Sequence, residues 1–367
     1  MTIPSSRKWL LRATAAAAAM CAFYLVGLPA IELLLQRFRP APPSIRVLQD
    51  LTFTEQLRLH AAELFVALWT FSFGAMIGSF LNVVVYRLPR GESIVLRGSR
   101  CPRCGAPIAS RDNLPIVGWL LLGGRCRICR GAISPRYPIV EFLTASLFLT
   151  LYFVQLRSGG ANLPVRSPNH YTGVVWIIFY TRWDLVGLTA YHAYLFCTLL
   201  AWSLIEGDGQ RVPRGAAGVS LLLGLIPLLI WPSLVLVPFS ESGAANLSPD
   251  TWRVHLVTVL AGGAAGAFFG WLLTLFAPQR PGRARPSTGA TPTAGSMLIG
   301  LGLGWQAIAL IAAAAAVIRG VAVALLTRSP DPHPNQLAQR VPATAYLFLA
   351  VFAHHLFWRP LYQLLFT

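Results

Sequence analysis

The chain has 367 residues, of which 55% are hydrophobic and 12% charged, with a mean hydropathy of +0.58 and a formal net charge of +17. That balance is too apolar for a soluble domain and belongs to the membrane class. Lys8 is the only lysine, so the charge is carried by arginines in short stretches between apolar runs, a distribution that reports topology and speaks against a nucleic-acid partner.

Crossing a hydrocarbon core takes about 20 apolar helical residues. Runs of that kind lie near residues 13–36, 61–86, 138–156, 185–205, 216–238, 253–277, 295–326 and 343–358. They predict an all-α polytopic membrane protein with about eight transmembrane helices and the lipid bilayer as its surroundings. The first run follows the basic start MTIPSSRKWLLR; it is long and lacks a small-residue cleavage pattern, so it is expected to be a retained anchor. The run 295–326 contains GLGLGW and is either one long tilted helix or a short segment followed by a second. Before it, residues 278–295 are rich in Pro, Gly, Ser and Thr and read as an irregular linker.

Arginine orients these runs. Residues 87–136 carry Arg87, Arg90, Arg97, Arg100, Arg103, Arg111, Arg125, Arg127, Arg130 and Arg136, more than the loop that follows the next run, and so are expected to face the cytoplasm. Alternation puts EGDGQRVPR (206–214) and the 278–295 stretch on the same side.

Within the arginine-rich loop, Cys101, Cys104, Cys126 and Cys129 form C-x2-C-x21-C-x2-C. Each pair can turn back on itself and place two thiolates on one metal, the spacing of a tetra-cysteine zinc site. Two disulfides are the alternative, which a reducing cytoplasmic loop disfavours. Four thiolates leave no open coordination position, so such a zinc would be structural and would organise a loop with little core of its own. Cys21 and Cys197 lie in apolar runs and read as small buried residues.

Three segments in one order carry a resemblance: GAMIGSFLNVVVYRLPRGES (74–93), DNLPIVGWLLLGGRCRIC (112–129) and ISPRYPIVEFLTA (133–145). Together they resemble the N-terminal half of the prepilin leader peptidases, membrane aspartic peptidases that also N-methylate their product. The resemblance implies an inner-membrane protein with a cytoplasmic zinc loop, prepilin or pseudopilin substrates and S-adenosylmethionine as methyl donor. It divides the chain into an extra anchor and linker (1–60), the family's N-terminal region with the cysteine loop at about 87–137 (61–157), and a membrane-embedded peptidase-like region (158–367).

Aspartic chemistry needs two carboxyls sharing one proton, one to activate water and one to protonate the leaving amine. The family's first aspartate falls in an Ile-Asp-x-Asp-x-x-x-Ile/Leu-Pro pattern, and IEGDGQRVP (205–213) matches it with Glu206 at the aspartate position and Asp208 two residues on. The second belongs to a Gly-x-Gly-Asp motif ahead of a stretch that IGLGLGW (299–305) resembles; ungapped alignment puts Thr291 and Pro292 where Gly-Asp belongs. After Asp250 the only acid is Asp331, and Ser296 is the nearest polar substitute. If the family's fold holds, residues 290–296 approach Glu206 and Asp208 and offer only Thr291, Thr293 and Ser296 as polar side chains. Three functions stay open: an active peptidase and methyltransferase, a member that has lost proteolysis but keeps substrate binding or methyl transfer, and a zinc-stabilised scaffold of a pilus or type II secretion assembly.

Other features read as structural. Glu141 and Asp112 lie in family-like positions and are expected to be paired more than to take part in methyl transfer. Gly262, Gly266 and Gly270 form a small-residue stripe suited to close helix packing. His354 and His355, with no ligand-type neighbour in the sequence, are expected to pack or sit at an interface.

Overall fold

A computed structural model describes residues 5–36, 52–96, 98–164, 173–236, 250–275, 290–327 and 341–366. The N-terminal run forms α1 (Ser5–Ala22), which passes through a wide turn at Phe23–Gly27 into α2 (Leu28–Gln36). α3 (Phe53–Arg87) starts ahead of its apolar run because Thr52 and Glu55 form a capping box: the Thr52 N–H donates to Glu55 Oε2 at 2.8 Å and the Glu55 N–H donates to Thr52 Oγ1 at 3.4 Å. It closes on the turn Leu88–Arg90, with Gly91 in the left-handed region at φ 67°. After the cysteine loop and its short helix α4 (Val117–Leu121) come α5 (Arg136–Leu151, extended by a turn at Tyr152–Arg157), the small helix α6 (Val174–Phe179) and α7 (Trp183–Gly207). The remainder is α8 (Arg214–Ile230), α9 (Asp250–Leu275), α10 (Ala290–Thr327), α11 (Ala343–Leu356) and α12 (Trp358–Phe366).

All eight expected runs are helical. Six of these helices are long and apolar enough to cross a membrane: Thr14–Leu35, Phe53–Arg90, Arg136–Arg157, Trp183–Gly207, Trp252–Leu275 and Thr291–Ala322. The other two, Arg214–Ile230 and Ala343–Leu356, are shorter than expected. The run 216–238 ends early because Pro232 pushes Trp231 into extended backbone (φ −126°, ψ 85°). The run 295–326 is two helical pieces broken at Gly304, whose φ of 87° and ψ of 169° only glycine adopts without strain. α10 begins at Ala290, inside the stretch expected to be linker; residues 276–289 lie outside the described residues.

α7 occupies the centre. Leu188, Leu195, Phe196 and Leu199 have no exposed surface and pack against α10 and α11 through Leu298, Ile299, Leu347 and Val351. Two glycine seams bring neighbouring backbones together. A Cβ on Gly78 of α3 would lie 2.7 Å from Glu141 Cα of α5, and one on Gly262 of α9 would lie 2.1 Å from the Gly300 carbonyl of α10. Close backbone approach through small residues is the usual means of packing helices in lipid, where apolar side chains gain nothing by leaving the hydrocarbon.

Candidate functional site

Two knuckles of matching geometry carry the four cysteines. In the first, the Cys101 N–H donates to Ala106 O and the Gly105 N–H to Cys101 O, both at 2.9 Å. In the second, the Cys126 N–H donates to Gly131 O at 2.9 Å and the Arg130 N–H to Cys126 O at 3.0 Å. Each is closed by one antiparallel bridge, Arg100 to Pro107 and Arg125 to Ala132. Gly105 and Arg130 hold the same place, at φ 69° and 56°. Arginine there carries steric strain that glycine avoids, so the second turn is imposed by its surroundings.

The four Sγ atoms lie within 4.8 Å of one another, and all six cysteines of the chain are free. Tetrahedral zinc with Zn–S near 2.3 Å requires sulfurs about 3.8 Å apart, and Cys101 and Cys129 already stand 3.9 Å apart. The cluster could therefore hold one ion with only small adjustment. Backbone N–H groups of Cys104 and Arg103 hold the Cys101 thiol down to about 6, which favours the thiolate a metal binds. Among the described residues no other group of His, Cys, Asp or Glu converges in this way.

The loop is fastened to the helices. Arg127 donates to both oxygens of Asp112, at 2.7 and 2.5 Å, and holds its carboxyl below the usual carboxylate range. Trp119 Nε1 donates to Ile133 O at 3.1 Å. Buried Glu141 of α5 accepts the Ile116 N–H at 2.6 Å and is hydrogen-bonded to Ser79 of α3. Ile116 itself has φ 64° and ψ −55° in a three-residue turn closed by the Val117 N–H on Pro115 O at 2.6 Å, a rare and strained conformation for a β-branched residue. Asp112 is thus engaged inside the loop, and Glu141 ties the loop to α5 and α3.

The acid pair sits at the end of α7. Glu206, half-buried on the last turn, faces the bundle and accepts a hydrogen bond from Thr344 Oγ1 of α11 at 2.6 Å. Asp208 follows the helix end, is exposed, and pairs with Arg136, the first residue of α5. The start of α10 packs beside them: Ala294 shares a buried cluster with Trp202, Ile205 and Val212, and a Cβ on Gly295 would lie 3.3 Å from Leu199. Buried Ser296 Oγ has no partner. Asp331 lies outside the described residues. Thr344 lies in no motif of the sequence, and although Arg136 falls within the segment 133–145, only contact shows that it pairs with Asp208.

The glycine stripe is an interhelical seam. Cβ atoms on Gly266 and Gly270 would come within 2.2 Å of Ser296 O and 2.6 Å of Thr293 Cα. His354 and His355 do gain neighbours unseen in the sequence: His192 of α7, with ring centroids 4.5 Å from His355, and Gln155, whose Nε2 lies 2.8 Å from His192 Nδ1 and 2.5 Å from His355 Nε2. All of them are buried, so the histidines pack inside the bundle.

Residues 72–155 match the family model described as the bacterial peptidase A24 N-terminal domain. Three prepilin leader peptidase/N-methyltransferases are similar to the chain. That of Myxococcus xanthus is 52% identical over 82 residues, 22% of this chain and 24% of its own length. That of Aeromonas salmonicida is 42% identical over 242 residues, covering 54% and 78%. That of Klebsiella pneumoniae is 33% identical over 219 residues, covering 54% and 82%. The chain thus spans about a quarter of the Myxococcus protein and most of the other two. No solved structure matches.

Proposed function

The chain belongs to the prepilin leader peptidase/N-methyltransferase family, and we propose that it serves prepilin or pseudopilin processing at the inner membrane with its proteolytic step weakened or lost. The cysteine loop faces the cytoplasm, carries a structural zinc on Cys101, Cys104, Cys126 and Cys129, and stands beside the acids of α7. The observation that carries the reading is the engagement of those acids: Glu206 accepts from Thr344 and Asp208 is paired with Arg136. Peptide hydrolysis on a shared proton needs one carboxylate to take a proton from water and a second carboxyl to give one to the leaving amine. The start of α10 beside these acids carries no carboxyl: alignment puts Thr291 and Pro292 where the family has Gly-Asp, and Ala294, Gly295 and Ser296 follow. The extra methylene of Glu206 weakens the first position too, since misplacement of about 1 Å can cost a hundredfold in rate.

Methyl transfer from S-adenosylmethionine uses no carboxyl dyad and would survive this loss. A second reading, a non-catalytic, zinc-stabilised scaffold of a pilus or type II secretion assembly, is favoured by the Arg136–Asp208 pair, which closes one acid against the end of the cysteine loop. The deciding experiment offers a model prepilin to the purified chain beside an intact family enzyme, with S-adenosylmethionine carrying a labelled methyl group. Little or no cleavage is expected, with transfer of label to a pre-cleaved substrate; absence of label leaves the scaffold. Efficient cleavage, abolished by Glu206→Gln or Asp208→Asn, overturns the proposal and directs attention to Asp331.

A further inference from the structure

The short helix α4 presents an apolar face that is exposed among the described residues. Val117 and Leu121, four residues apart, and Leu114, three residues earlier, are 48%, 65% and 51% exposed. The opposite side is packed: Gly118 lies against the Asp112 carbonyl, and Trp119 reaches the Ile133 carbonyl. Leu114 joins this turn through its carbonyl, which accepts the Gly118 N–H at 2.8 Å. Three exposed aliphatic side chains at helical spacing on a loop rich in charge need an apolar neighbour.

The hydrogen bonds of the loop set the depth at which that neighbour is met. The Ile116 N–H is bound to Glu141, which lies within the membrane-spanning helix α5 that begins at Arg136. At about 1.5 Å per residue, that anchor stands roughly 7–8 Å beyond Arg136 toward the hydrocarbon. Arg136 and Asp208 mark the polar level above it. Along α5 at the depth of Glu141, Ile139 and Phe142 are exposed, as surfaces that meet lipid are. The face of α4 therefore continues the apolar belt of the spans at the depth where interfacial helices sit, about 5–10 Å into the boundary between headgroups and acyl chains.

Charge selects the lipid. Residues 87–137 hold ten arginines against Glu92 and Asp112, and Arg111, Arg125 and Arg130, which flank α4 in sequence, are exposed. We propose that the cysteine loop is seated on the bilayer: Leu114, Val117 and Leu121 insert at the interface, and the arginines around them bind anionic phospholipid headgroups. The strained turn at Ile116, fixed by Glu141, keeps the loop at that depth. The seat makes the loop part of the membrane surface and confines the approach of any substrate to the plane of the bilayer.

The test uses the full chain in nanodiscs of phosphatidylcholine alone or with phosphatidylglycerol added. A p-benzoylphenylalanine photocrosslinker replaces Val117, Leu121 or, as a control at an exposed loop position outside α4, Ala109. Phospholipid adducts are expected at Val117 and Leu121 well above the Ala109 level, rising about fivefold with phosphatidylglycerol, the worth of one arginine near an anionic surface. The rise should vanish in the Arg111→Gln variant, whose substitution lies outside both cysteine turns, while metal content per chain is unchanged. In the unsubstituted chain, amide exchange over residues 114–122 should slow when phosphatidylglycerol is present. Adducts to protein, equal yields at all three sites, or exchange indifferent to the lipid each overturn the proposal.

Discussion

Gly266→Ala tests the α9–α10 seam on which the arrangement at Glu206 depends. The added methyl would stand 2.2 Å from the Ser296 carbonyl oxygen and 2.7 Å from both Met297 Cα and Ser296 C, all backbone atoms that cannot turn aside. Ordinary contact between such atoms is about 3.5 Å, so the helices must part by roughly an ångström along a seam that Gly262 and Gly300 share. Overpacking of this kind costs about 1–3 kcal/mol, and a clash with rigid backbone belongs at the upper end. Alanine's better helix propensity offsets about 1 kcal/mol, which leaves a net loss of about 1–2 kcal/mol. Gly320 of α10 has nothing within 4 Å of where a Cβ would stand, so Gly320→Ala keeps only the propensity gain. Unfolding in detergent, followed by tryptophan fluorescence, should therefore move in opposite directions for the two variants. Because Ser296 and Ala294 ride on the displaced turn, the Gly266 variant should also expose the end of α7, read as faster amide exchange at residues 202–207. A Gly266→Ala chain as stable as Gly320→Ala would show that the two helices are not held at this distance.

Cys101→Ser should lower bound metal from one ion per chain and open the loop to proteolysis between its knuckles while the spans stay intact, checked by metal analysis and limited digestion. Thr344→Val removes the hydroxyl bound to Glu206 and should cost about 1.5–3 kcal/mol, the range for a hydrogen bond to a charged group, with Thr344→Ser restoring most of it in thermal unfolding. Asp112 has its carboxyl lowered chiefly by the Arg127 hydrogen bonds, so its contribution is full above the ordinary carboxylate range and lost as pH falls through the depressed folded value. Asp112→Asn should abolish that acid-side dependence of loop order, measured by amide exchange at residues 110–130; an unchanged profile would refute the pairing.

Legibility in the sequence followed how local each signal is. The helices at Phe53–Arg87 and Trp183–Gly207 were visible because twenty apolar residues suffice to mark a span, whatever lies beside them. The cysteines were visible because both pairs carry their own spacing, and the stripe Gly262, Gly266 and Gly270 because its period matches one helix face. By contrast, the start of α3 is set by Thr52 and Glu55, outside the apolar run, and the early end of α8 by Pro232 within an otherwise continuous one.

Composition and spacing therefore determined that this chain is a helical membrane protein and that four thiols meet in one loop, while the segments 74–93, 112–129 and 133–145 set it, by resemblance, beside the prepilin peptidases. Tertiary structure alone decided what each acid touches: Glu206 meets Thr344 across 138 positions and Asp208 meets Arg136 across 72. It alone joined His192 to His355 and Gln155, and it alone put Ile116 in a strained turn over Glu141. The reason is physical. Solvent selects residue type along the chain, and hydropathy or metal-ligand spacing records that selection residue by residue. A hydrogen bond between distant helices depends on how those helices cross, and the crossing is set by packing at Gly78, Gly262 and Gly300, where side chains are absent and backbones meet.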